Sequence, residues 1–193
     1  MNTNNENTGF ADALERLEER ALQIQMEHFK IPPEKRGRAF YSLELVGEMG
    51  ELLNDCKKFM RTKLAHRRAE QIEKRIPEET ADTLIALILI KLAAHDEQKV
   101  FPNAPFNLDD SVKTTMWLHT CLSSLALSAS SLYVKEILET AVDDTKKSLD
   151  IGLYKSVVDS LLNVANFFEF DLEEATNNKL TRIISKVENG HYD

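Results

Sequence analysis

Glu48 and Glu51 stand three residues apart, and so do Glu79 and Asp82. On an α-helix that spacing places both carboxylates of a pair on one face, one turn apart. Two such helices side by side would present four carboxylates to a common point. An all-oxygen cluster of this kind suits a hard divalent cation, Mg²⁺ or in its place Mn²⁺. The spacing alone is common in this acidic chain: Asp12/Glu15, Glu15/Glu18, Glu70/Glu73, Glu136/Glu139 and Asp171/Glu174 share it, and most of them read as solvated faces. Context separates the chosen residues. Glu48 borders the apolar stripe formed by Leu45, Met49, Leu52 and Cys56, where a carboxylate is costly unless paired or bound to an ion. Asp82 directly precedes the apolar run 84–90 on a segment with little polar surface, and Glu79 falls where a helix dipole favours an acid.

Other chemistries find less support. Di-iron bundles draw a Glu-x-x-His pair from each of two helices, a set the five histidines do not supply, and no spaced Cys/His set offers a zinc site. Cys56 and Cys121 each lie in an apolar, helix-periodic stretch, which predicts buried thiols rather than a disulfide. Phosphate-loop, dinucleotide-binding and nucleophile-elbow glycine motifs are missing. A formal charge of −8 argues against binding duplex nucleic acid, which needs a basic footprint. It does not exclude a small polyphosphate, because a metal ion reverses the sign locally. Basic residues crowd one stretch (Lys57, Lys58, Arg61, Lys63, Arg67, Arg68, Lys74 and Arg75), readable as a solvated face or as a phosphate contact. The polar N-terminus and the short apolar run cut by Lys91 provide neither signal peptide nor membrane span, so a cytoplasmic protein with no membrane partner is expected.

The elements that must hold these acids read as helices throughout. Residues 1–9 read as a disordered tail and 12–28 as a charged helix, broken by Ile31-Pro-Pro-Glu-Lys-Arg-Gly. A long helix is expected from Arg38 into the sixties. The next starts at Pro77 with Glu78 and Glu79 in its first turn, and is apolar nearly all round, so it belongs in the middle of a bundle. A loop-like stretch over 101–110 links the halves 10–100 and 111–193. Beyond it, helices are expected over 111–132, 133–147, 151–168 and 172–187, the last with Asp171 as N-cap. The two halves read as distant copies, each with an Asp leading an apolar helix, which sets Asp159 against Asp82.

Leu45-Val-Gly-Glu-Met-Gly-Glu-Leu-Leu and Pro77-Glu-Glu-Thr-Ala-Asp-Thr-Leu-Ile resemble the paired acidic signatures of the MazG-like all-α nucleoside triphosphate pyrophosphatase superfamily, which includes the dimeric dUTPases. The resemblance covers residues 38–95 well. It implies an all-α helical bundle built from two MazG-like repeats, in which Glu48, Glu51, Glu79 and Asp82 coordinate Mg²⁺ bridging the phosphates of a nucleoside triphosphate. The implied reaction cleaves between the α- and β-phosphates to give a monophosphate and pyrophosphate. Lys58 and Arg61 are then candidates for phosphate contacts. The second half departs from the pattern: Lys155 and Ser156 stand where Glu78 and Glu79 do, and the serine-rich 121–131 carries no acid. It reads as a degenerate copy with Asp159 as a remnant. Trp117, Asn163 and Asn166 could contact a base, although packing or surface roles suit them better, and no base preference follows. Members commonly pair, so a homodimer is expected. Two other readings stay open on the residues alone: a non-enzymatic helical bundle, and a metal-dependent hydrolase of another phosphorylated small molecule.

Overall fold

A computed structural model describes residues 4–65, 69–106, 114–142 and 148–190; Arg67 and Arg68 of the basic stretch lie outside them. Among the described residues helix is the only regular structure, and the chain is an all-α bundle. The elements are α1 (Asn4–Ile24), a π-helical turn (Gln25–Phe29), α2 (Pro33–Arg36), α3 (Arg38–Leu64), α4 (Glu70–Glu73), α5 (Ile76–Ala93), α6 (Thr115–Val142), α7 (Ile151–Phe168) and α8 (Leu172–Glu188). No helix of the described residues is long and apolar enough to cross a membrane.

Local chemistry sets the helix ends. Gly37, at φ 82°, turns the chain into α3 in a conformation that a Cβ would disfavour. Pro77 opens α5, where its missing N–H costs nothing. The side chains of Asp150 and Asp171 accept from the backbone N–H of Leu153 (3.0 Å) and Glu174 (2.9 Å), satisfying donors at the starts of α7 and α8.

α3 and α5 form one hairpin and α6 and α7 another; α3 packs on α6, and α1 and α8 close over α5. α5 is therefore contacted on all sides, which its sequence requires: Leu84, Leu87, Ile88 and Ile90 are fully buried. Among the described residues the buried charged side chains Arg38, Asp55, Glu79, Lys91 and Glu136 all form ion pairs. Lys91 donates to both Glu18 oxygens (2.8 and 2.7 Å), tying α5 to α1. Charged groups confined in the interior are costly unless matched in this way.

Three sequence expectations are corrected. α1 begins at Asn4, inside the stretch read as a tail, and Phe10 and Ala11 in its early turns pack on the core. Residues 1–3 lie outside the described residues. The two helices expected over 111–132 and 133–147 are one, α6, because the buried stripe Leu118, Leu122, Leu125, Ala129, Leu132 and Glu136 continues at helical spacing across the expected break. Glu136 is not on a solvated face. It is fully buried and ion-paired at 3.1 Å with Arg38, itself 6% exposed, so this pair clasps the start of α3 to the end of α6.

Candidate metal centre and its adjoining pocket

Glu48 and Glu51 project from the middle of α3, and Glu79 and Asp82 from the first turns of α5. Packing α3 against α5 brings carboxylate oxygens of Glu48, Glu51 and Glu79 within 4.8 Å of one another. Opposite oxygens around Mg²⁺ are about 4.2 Å apart, given bonds of about 2.1 Å. The three side chains thus need only small rotations to close on such an ion, and their all-carboxylate chemistry suits it. Glu79 is buried, Glu48 half-buried and Glu51 exposed, so the cluster has one open side.

Like charges at this separation perturb one another. Burial, then the neighbouring Asp82 and Glu51 carboxylates, push Glu48 up to about 7. Asp82 is also raised by burial, against the opposing pull of Lys179. Lys179 reaches from α8 to donate to Asp82 and to Glu78 (3.0 Å), and Arg182 pairs with Glu78 at 3.0 Å. These two cations hold Glu78 below the usual carboxylate range despite its partial burial. Asp82 is therefore beside the three glutamates but engaged by a lysine. Of the four acids expected to converge, the structure gathers three and sets the fourth next to them.

The basic candidates lie farther off. Lys58 donates to Asp55 at 2.7 Å. Asp55, 1% exposed, is paired at 3.1 Å with Arg75, whose Nη2 donates to Glu79 at 3.0 Å. Lys58 is thus linked to the cluster only through a buried Asp and an Arg. Arg61 is exposed and about 15 Å along α3 from Glu51, by the rise of ten residues. Arg75 and Lys179 adjoin the acids; sequence reasoning had Arg75 only as one of a basic stretch and missed Lys179. Arg75 had a signal, the i, i+4 spacing to Glu79. Lys179 had none, since the link from α8 to α5 spans 97 residues.

A cavity of about 370 Å³ opens beside Glu48, Asp82 and Lys179. Gln25, Phe29 and Arg36 line it, with aliphatic residues of α5 and α8. Gln25 is 6% exposed and its Oε1 has no hydrogen-bond partner among the described residues. It sits in the π-helical turn, an irregularity often found where a helix is reshaped around a site. The Arg36 guanidinium stacks between the rings of Phe29 and Phe40, 5.6 Å from each centroid.

Trp117, Asn163 and Asn166 are elsewhere. Asp159 accepts from Lys155 (2.9 Å) and from the backbone and side-chain N–H groups of Asn103 (2.8 and 2.7 Å). Asn163 Oδ1 accepts from Phe106 N (3.1 Å), and Asn166 donates to Phe106 O (2.8 Å). These α7 residues pin the segment that leads out of the first half, and Trp117 meets Phe106 edge to face at 5.1 Å. Compared with protein-family models, with curated proteins and with solved structures, the chain matches none.

Proposed function

We propose that this protein is a Mg²⁺-dependent nucleoside triphosphate pyrophosphohydrolase, releasing a nucleoside monophosphate and pyrophosphate. The observation that carries the reading is the convergence of Glu48, Glu51 and Glu79, from two helices, on one partly open point beside a cavity. Glu48, Glu51 and Glu79 would hold the ion, with Asp82 joining them as Lys179 turns to the substrate. A bound Mg²⁺ supplies charge neutralisation of the phosphates and a more acidic water. Lys179 and Arg75 are the cations placed to meet polyphosphate oxygens with charge-assisted hydrogen bonds. The adjoining cavity, with an aliphatic wall and the amide of Gln25, suits a flat heterocycle bearing donors and acceptors.

The test is pyrophosphate release from a panel of standard and modified nucleoside triphosphates, with Mg²⁺ and with EDTA. Metal-dependent release with a monophosphate product is expected, together with a rise in thermal midpoint on adding Mg²⁺, through mass action. A folded sample that releases nothing and is not stabilised by Mg²⁺ or Mn²⁺ would sink the reading.

A further inference from the structure

A second cleft, of about 510 Å³, lies between α6 and α7. Cys121 and Ser124, three apart on α6, face Ser156 and Asp159 on α7, much as Glu48 and Glu51 on α3 face Glu79 and Asp82 on α5. The acids of the first hairpin are thus matched here by hydroxyls and a thiol. The carboxylate that is present, Asp159, is neutralised by Lys155 and Asn103. This cleft has no charge left over for a metal ion, and Lys155 is not free to bind a phosphate.

What the cleft does offer is neutral and directional. The hydroxyls of Ser156 and Thr120 donate to carbonyls of their own helices (2.9 and 3.1 Å), and Ser160 does the same (2.8 Å). The Ser156 and Thr120 oxygens thereby keep acceptor capacity for a ligand N–H or O–H, whereas the buried Ser160 oxygen also meets Ser124 Oγ at 3.2 Å. Trp117 and Phe106 make an aromatic wall, and the volume falls in the range of small-molecule sites.

We infer that this cleft is a second binding site, for an uncharged nucleoside. A nucleobase supplies a flat face for the aromatic wall; its amino or imino group and the sugar hydroxyls supply donors for the hydroxyl oxygens. The inference stands on the chemistry of this cleft and not on the activity proposed for the acidic centre.

Trp117 is the single tryptophan of the chain, so its fluorescence reports on this cleft alone. The experiment titrates the full chain with adenosine, guanosine, cytidine, uridine and thymidine in EDTA, with saturation-transfer NMR of the nucleoside as a second readout. At least one nucleoside should give saturable binding. Ser124→Leu, at an exposed position on the rim, should weaken it by about tenfold or more. Thr120→Leu, also exposed, serves if that variant misfolds. Glu51→Gln in the acidic centre should leave it unchanged. No saturable binding by either readout overturns the inference. So does binding that the rim variants leave intact, or binding that Glu51→Gln removes, since that places the nucleoside at the acidic centre.

Discussion

Glu48 and Lys179 show how single groups in the acidic centre are balanced. Glu48 has its pKa raised to about 7 from 4.5 in a solvated chain. The folded state therefore holds this proton more tightly than the unfolded one, and stability present below about 4.5 is lost as pH rises through about 7. In EDTA, Glu48→Gln should flatten that decline, seen as a smaller drop in urea midpoint between mildly acidic and mildly alkaline buffer; an unchanged decline would mean the proton sits elsewhere. Lys179 is 14% exposed at its side chain and already bound to two acids, which holds it beside the acidic cluster, where the proposed function would have it meet a phosphate. Lys179→Met keeps the stem and removes the charge. It should lower kcat/KM for the triphosphate by about 10- to 100-fold, the equivalent of one hydrogen bond to a charged group. Wild-type kinetics in this variant would remove Lys179 from substrate contact.

Helices are the scale at which the chain was most legible from its residues. α3 and α7 begin and end where glycine, aspartate and the apolar period place them, because those signals act within a turn or two. Spacing placed Glu48 and Glu51 on one face of α3 and Glu79 and Asp82 on one face of α5; that the two faces meet was implied by the resemblance. The engagement of Asp82 by Lys179, and of Asp159 by Asn103, was not legible: each joins groups more than 50 residues apart. α6 was misread as two helices divided after Leu132, although the buried stripe from Leu118 to Glu136 runs across that point at unbroken helical spacing. Within α3, Gly47 and Gly50 flank Glu48, and a Cβ at either would meet nothing within 4 Å. Neither glycine is required by packing. Gly47→Ala and Gly50→Ala should each stabilise the protein by about 1 kcal/mol through helix propensity. In a domain this size that raises Tm by about 2–4 °C. Calorimetry showing a lower Tm would reveal a constraint that the space around these positions does not display.

Across the whole molecule, the two hairpins differ in the groups they bring together. The first gathers acids around an open point and lets cations approach from α8 and from the turn before α5. The second satisfies its acid internally and fills the equivalent positions with neutral groups. The Arg38–Glu136 clasp and the packing of α3 on α6 hold the two together. α5, surrounded on every side, is common property of the bundle, and that has a consequence for solvent exchange. Its interior amides, from Leu84 to Ile90, have no route to water short of opening the bundle, so in deuterium exchange they should be the slowest in the chain. Glu79 and Asp82 lie about one and a half turns and half a turn before Leu84 on the same helix. Any cation held by those acids must be released before these amides exchange. The slowing of exchange at Leu84 to Ile90 with added Mg²⁺ would then report the free energy of metal binding directly, with no substrate and no turnover.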